Sequence, residues 1–151
     1  MAIFGSGRSA GGVVVNSDGL VLVVNQHGRA WSLPKGYIED GETEIEAAKR
    51  EIYEESGIKK LEFVCKLGEY QRYRISLDGG DDKSITKKIV IFLFITDEGE
   101  LNPVDPENPE ARWVEIGKVS DLLTHYKDRK FFLSVMDKIN KNAIFERREF
   151  S

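Results

Sequence analysis

Apolar positions cluster and recur along the chain in a way that divides it into separate pieces. β-Branched residues fill 12–16 and 20–25, and Ser17-Asp18-Gly19 between them has turn chemistry, so the pattern predicts a hairpin. A short strand follows at 31–34. The period then changes: Ile45, Ala48 and Ile52 recur at spacings of three and four, which sets them on one stripe of a helix. Thr43 and Glu46 form an S/T-x-x-E start signal, and Gly57 after Ser56 supplies the stop. Beyond it, 61–67 and 70–77 read as strands, the second with its alternation broken by Arg72 and Arg74, and a Gly-Asp loop follows at 78–82.

Residues 87–95 (K-K-I-V-I-F-L-F-I) are apolar without alternation, as expected of a central strand covered on both faces. Residues 97–110 carry Pro103, Pro106 and Pro109 among six acids and read as a loop. A strand at 112–116 and a helix at 119–124 come next. Asp128 is the expected N-cap of a last helix, whose stripe is Phe131, Phe132, Val135, Met136 and Ile139, and 141–151 is expected to fray. Strands, then a helix, then strands, then helices predict an α+β sandwich around a mixed sheet.

Composition narrows the picture. With 151 residues, 40% hydrophobic and 32% charged, the chain suits one domain spanning 1–151. Its longest apolar run, seven residues at 89–95, is too short to cross a bilayer as a helix, and 1–8 lack the apolar core of a signal peptide. A cytoplasmic protein without a membrane partner is therefore expected. Cys65, the single cysteine, has no disulfide partner within the chain and reads as a half-buried strand residue. A net charge of −4 argues against nonspecific attraction to nucleic-acid backbone, so a polyanionic substrate would have to be held by metals and local cations. Oligomeric state is not legible.

Candidate chemistry concentrates on the first helix. At about 100° per residue, Glu51, Glu54 and Glu55 span an arc beside the apolar stripe, where they border a cleft more naturally than open solvent. Like charges at these spacings cost roughly 0.2 to 0.5 kcal/mol per pair, and negative charge near a helix C-terminus adds to the cost. Hard divalent cations reverse both penalties, because Mg2+ is typically shared between carboxylates and substrate phosphates.

An isolated E-x-x-E-E triplet is usually a solvated face. Here the surrounding residues fit G-x5-E-x7-R-E-U-x-E-E-x-G-U, with U aliphatic, through Gly36, Glu42, Arg50, Glu51, Ile52, Glu54, Glu55, Gly57 and Ile58. This segment, 36–58, resembles the Nudix box that defines the Nudix hydrolases. The resemblance implies an α/β/α sandwich with a central mixed β-sheet and hydrolysis of a phosphoanhydride by metal-activated water, with Mg2+ as cofactor and Mn2+ as a substitute. It also implies Glu51, Glu54 and Glu55 as metal-binding acids, with the carbonyl of Gly36 a further ligand. Glu54 is the preferred general base, Glu55 the next choice, and Arg50, one turn before Glu54, the residue that holds its rotamer. For the extra metal-binding acid that the resemblance implies, Glu107 and Glu110 are the candidates, and an acid six residues before the aromatic, which recurs in members of the family, favours Glu107.

The stretch W-S-L-P-K-G-Y-I-E-D-G at 31–41 is most similar to the bis(5'-nucleosyl)-tetraphosphatase and diphosphoinositol polyphosphate branches, and S-A-G-G-V-V-V at 9–15 to the former. The implied substrate is a small nucleotide: a dinucleoside polyphosphate such as diadenosine tetraphosphate. Arg8, Lys35, Lys83, Lys87 and Lys88 are candidate phosphate contacts, and Tyr70 and Tyr73 candidate base-stacking residues. The alternatives are diphosphoinositol polyphosphates, RNA 5' ends or nucleoside triphosphates. A further alternative, of another class, is a nucleotide-binding sensor or interaction domain without turnover.

Overall fold

The structure is a computed structural model that describes residues 6–145 apart from 76, 77, 79, 108 and 109. Its centre is a mixed sheet in the order β3-β2-β1-β6-β5, formed by Ala30–Ser32 (β3), Leu20–Gln26 (β2), Ser6–Val15 (β1), Asp81–Ile95 (β6) and Glu62–Ile75 (β5). Two strands lie off this path: Lys35–Tyr37 (β4) pairs with β1, and Glu110–Glu115 (β7) pairs with β2. β1 and β6 run parallel over ten residue pairs, Ser6 opposite Thr86 to Val15 opposite Ile95, while the other pairings are antiparallel.

β6 is covered on both faces, as its unbroken apolar run predicts. Ile89, Ile91 and Leu93 join one core cluster with Phe131, Phe132 and Ile139 of the helix Tyr126–Ile139 (α3). Val90, Phe92 and Phe94 join the other, with Ala47, Ala48 and Ile52 of the helix Glu44–Ser56 (α1). A short helix, Ile116–Leu122 (α2), adds buried Val119 to the first cluster. The expected α+β sandwich with helices on either side of a mixed sheet is thus observed. Phe94 and Phe132 are fully buried, and truncating either to alanine would cost about 3 to 5 kcal/mol.

α1 begins and ends where its signals lie. Thr43 accepts from the Glu46 amide at 3.1 Å while Glu46 accepts from the Thr43 amide at 2.8 Å, and Gly57 closes the helix with φ of 83°.

Elsewhere the elements differ from the pattern-based expectation, each for a physical reason. β1 begins at Ser6 rather than residue 12, because the small residues of S-G-R-S-A-G-G admit β4 and the core at close range. A Cβ on Gly11 would sit 2.2 Å from the Pro34 carbonyl oxygen. The two strands expected at 61–67 and 70–77 are a single β5 kept in register by bulges, with 76 and 77 outside the described residues. Asp81 and Asp82 belong to β6, not to a loop. Between Asp82, opposite Arg74, and Thr86, opposite Tyr73, residues 83–85 bulge out. Asp128 is not the N-cap of α3: His125 caps it through Nδ1, which accepts from the Lys127 amide at 3.0 Å, and Asp128 is buried within the first turn. Residues 141–145 do not fray but form a π-helical turn, Asn140–Phe145, with Ala143 buried; 146–151 lie outside the described residues.

Candidate active site

The C-terminal half of α1 packs beside β4, and Arg50 ties the two together. Its Nε and Nη2 donate to the two oxygens of Glu42 at 2.6 and 3.0 Å, and Nη2 also donates to the Tyr37 carbonyl at 2.9 Å. Nη1 donates to Glu51 at 2.8 Å and to Glu54 at 3.3 Å. One guanidinium therefore spans three carboxylates and a strand carbonyl, a use of the planar fork that an ammonium cannot match. Hydrogen bonds from Arg50 hold Glu42 below the ordinary carboxylate range.

Glu51 lies against the backbone of Gly36: a Cβ there would come within 2.2 Å of the Glu51 Cδ. Burial raises the Glu51 pKa in spite of Arg50. Glu55 is buried outright, accepting from the Gln26 side-chain amide at 3.3 Å and from the Lys35 backbone amide at 3.2 Å. Burial and the neighbouring Glu51 charge push Glu55 up to about 8, although Lys35 pulls it down. Glu54 is the most open of the three, with 37% of its side chain exposed.

Lys35 is itself buried, and burial together with the Arg72 charge lowers it to about 7. Lys87, on β6, is lowered to about 8 by burial and by Arg72 and lies 5.3 Å from the Tyr37 ring centre. Arg72 is buried too, with Nε 3.1 Å from Asp128 Oδ1. Lys35, Lys87 and Arg72 thus form a desolvated cationic group reaching from Glu55 toward α3, and Asp128 is the buried acid among them. Cations that depress one another in this way are suited to an anionic ligand.

The remaining candidates are not gathered there. Arg8 pairs with Glu44 and approaches Glu69 to 3.8 Å, and so is engaged by acids at the α1 side. Lys88 is exposed and alternates to the opposite face of β6 from Lys87, and Lys83 is exposed in the β6 bulge. Tyr70 is a packing residue: its ring stacks on Phe131 at 4.6 Å and its hydroxyl donates to buried Asp128 at 2.5 Å, so it is not an open platform for a base. Tyr73 is exposed and lines a separate cleft.

Glu107 is not brought to the box acids either. Its exposed carboxylate faces His27, 3.8 Å from Nδ1, and its carbonyl accepts from the His27 amide at 2.8 Å. The loop acid whose charge is felt at Glu51 is Asp105, whose amide is held by the Glu54 carbonyl at 2.9 Å. Sequence reasoning missed Asp105 and Gln26, and it marked Arg72 only as a break in the alternation of a strand. Asp105 has only its place in the acidic proline-rich loop to mark it, and Gln26 reads as an ordinary residue at the end of a strand.

The donor set suits a hard divalent cation. Glu51, Glu54 and Glu55 supply carboxylate oxygens, and the close approach of Glu51 to the Gly36 backbone, possible only at glycine, puts carboxylate and peptide oxygens in one region. Burial raises Glu51 and Glu55, and the charge of a neighbouring glutamate adds to each shift. Among the described residues, no group of three or more acids, histidines or cysteines is already arranged to hold a metal ion, and Arg50 engages Glu51 and Glu54. No helix among these residues is long and apolar enough to cross a membrane.

Comparison with known proteins adds independent findings. The family model described as "NUDIX domain" matches residues 5–135. The chain is 32% identical over 142 residues to an RNA pyrophosphohydrolase of Novosphingobium aromaticivorans, covering 84% of this chain and 88% of that protein. It is 34% identical over 141 residues to a mutator protein of Mycobacterium tuberculosis named MutT4. That match takes in 87% of this chain, which spans only 54% of the relative's length. Among solved structures, a C. elegans Ap4A hydrolase binary complex superposes with a TM-score of 0.71 at 19% identity, covering 89% of this chain and 98% of the other.

Proposed function

The chain belongs to the Nudix family and is a pyrophosphohydrolase, and from that premise we propose that it opens a phosphoanhydride bond of a dinucleoside polyphosphate such as diadenosine tetraphosphate. The observation that carries this reading is the junction of two opposite charge groups: crowded glutamates held by Arg50, and the desolvated cations Lys35, Arg72 and Lys87 beside Glu55. A polyphosphate would suit both, its oxygens facing the cations directly and meeting the acids only through a divalent cation that the acids would hold.

Glu51, Glu54 and Glu55, with the Gly36 carbonyl, would hold the divalent metal that the family uses, and Mg2+ is the ion we assign, with Mn2+ as substitute. When bound, such an ion neutralises phosphate charge and lowers the pKa of a coordinated water. Glu54 is the general base in this reading: it is the most open of the three acids, and Arg50 fixes its orientation at 3.3 Å. Glu55, buried and hydrogen-bonded by Gln26 and Lys35, is positioned to ligate rather than to shuttle a proton. Lys35 and Lys87 balance charge on the phosphate chain.

A second reading, an RNA 5' end as substrate, is favoured by the relatives at 28 to 32% identity that are named RNA pyrophosphohydrolase. Both readings share the chemistry at the scissile bond. Diadenosine tetraphosphate, triphosphorylated RNA, nucleoside triphosphates and diphosphoinositol polyphosphates, each assayed with Mg2+ and Mn2+, separate them. The expected result is the highest kcat/KM on diadenosine tetraphosphate, with oxygen from labelled water in one product phosphate. Preference for RNA ends would replace the first reading by the second, and absence of turnover on all of them would refute both.

A further inference from the structure

Arg50 holds two of the three box acids, Glu51 and Glu54, with a full charge. Glu55 is held differently. Each of its oxygens accepts from a neutral donor, Oε1 from Gln26 Nε2 at 3.3 Å and Oε2 from the Lys35 backbone amide at 3.2 Å. Lys35 also draws on Glu55 through its charge, but the contacts that fix the plane of the carboxylate are these two. The difference matters for a metal ligand. A cation bonded to a carboxylate competes with a divalent ion for its charge, whereas a neutral amide orients the group and leaves the charge to the ion. With one donor on each oxygen, each also keeps a second lone pair.

The strand pattern explains why glutamine stands there. Leu22 and Val24 on β2 enter the core cluster beneath α1, and alternation makes Gln26 the next residue on that face. A further aliphatic residue would extend the core. Glutamine instead carries an amide to Glu55, and its Nε2 also reaches the Lys35 carbonyl at 3.5 Å, so one side chain joins β2 to α1 and β4.

The backbone that aims this amide is itself fixed. β2 lies between β3 and β7, with Gln26 opposite Ala30 and Asn25 opposite Glu110. The Arg29 amide donates to the Gln26 carbonyl at 3.0 Å, and the His27 amide donates to the Glu107 carbonyl at 2.8 Å. His27 has a φ of 55°, in the left-handed region that a residue with a side chain adopts at a cost in energy, and Gly28 follows at 70°. The two strands and the Glu107 carbonyl hold the turn in that shape.

We infer that Gln26 is a positioning residue for the metal site: its side-chain amide orients the Glu55 carboxylate for ligation without adding charge, and it acts on the ion only through Glu55. The inference rests on the reading of the box acids as ligands of a divalent cation, and its test does not require turnover.

Mn2+ is titrated into the full chain and the free ion followed by electron paramagnetic resonance, for the unaltered protein, Gln26→Leu, Glu55→Ala and the double variant. Gln26→Leu keeps the bulk and removes the donor, and it is expected to weaken Mn2+ binding by about tenfold or more, as loss of a partner that orients a metal ligand does. In the Glu55→Ala background the same change should cost under about twofold, because the group it acts on is gone. Gln26→Asn, whose amide falls short by one methylene, should reproduce the loss and serves where the leucine variant fails to fold. Unchanged Mn2+ affinity in both Gln26 variants, or an equal loss with and without Glu55, would overturn the inference. An Mn2+ effect confined to the Glu55 background in a chain that opens no anhydride would keep the role of Gln26 and refute the activity. Hydrolysis by a chain whose Mn2+ affinity ignores Gln26 would refute the role and keep the activity.

Discussion

Arg50 and Glu42 meet as a two-pronged pair, Nε to Oε2 at 2.6 Å and Nη2 to Oε1 at 3.0 Å, which leaves Nη1 to orient Glu51 and Glu54. The loop acid fixes the arginine, and the arginine fixes the acids of the site. Lysine has the charge but not the fork, so Arg50→Lys is expected to lower both turnover and divalent-ion affinity by about 10- to 100-fold, the range seen when a partner that orients metal ligands is removed. Steady-state kinetics over a Mg2+ series checks this. Unchanged kcat in Arg50→Lys would mean that Arg50 acts as an ordinary surface ion pair.

Gly36 is a steric requirement set by Glu51. A Cβ at position 36 would lie 2.2 to 2.4 Å from the Glu51 carboxylate, so Gly36→Ala has to displace that group. A misplacement of about 1 Å near reacting groups costs on the order of 100-fold in rate, and an overpacking strain of about 1 to 3 kcal/mol accompanies it. The expected variant is folded, modestly destabilised, and defective in kcat and in Mg2+ binding. Thermal melts with metal titration separate these effects, and wild-type metal affinity would contradict the placement of Glu51.

What the sequence made legible is local. α1 is readable because Thr43, Glu46 and Gly57 act within one or two turns, and the family motif sits on that helix. β6 is readable because its cover on two faces leaves an unbroken apolar run. The first half of β1 is not, because S-G-R-S-A-G-G has no strand propensity; its partners in β6 and β4 impose the extended state. Burial of Glu55 and Lys35 escapes the sequence for the same reason: Gln26, Lys35 and Glu55 meet only once three elements pack. Asp128 reads as a cap by position, yet the cap is His125, and Asp128 turns inward to Tyr70 and Arg72.

The raised Glu55 makes the stability of the metal-free protein depend on pH. Between about 4.5, where an ordinary glutamate titrates, and about 8, the folded protein holds a proton that the unfolded chain releases, so stability declines as pH rises through this window. Lys35 acts oppositely at higher pH: from about 7 to 10.5 the unfolded chain holds the extra proton, and stability recovers as pH rises. Urea midpoints in EDTA are expected to pass through a minimum between these two trends, near pH 7 to 8. Glu55→Gln should remove the decline and leave the recovery. A midpoint in that variant that still falls from pH 5 to 8 would place the titrating group elsewhere.

Asp128 is the hinge of the buried network beneath the cationic group, and its removal separates charge from shape. Its side chain and that of Arg72 are 1% and 2% exposed, and Tyr70 donates to it at 2.5 Å. Asp128→Ala leaves a buried guanidinium without its acid, a loss of about 3 to 5 kcal/mol. Tyr70→Phe strips one donor and is expected to cost about 1 to 3 kcal/mol. Replacing both charges together, Asp128→Leu with Arg72→Met, should recover most of the stability lost in Asp128→Ala, because no buried charge is then unpaired. The same double variant should still lose nucleotide affinity, since it removes one of the three cations that the polyphosphate faces in the proposed function. Denaturation and nucleotide titration of the three variants, run side by side, check both halves. Recovery of stability without loss of binding would show that Arg72 serves only the core.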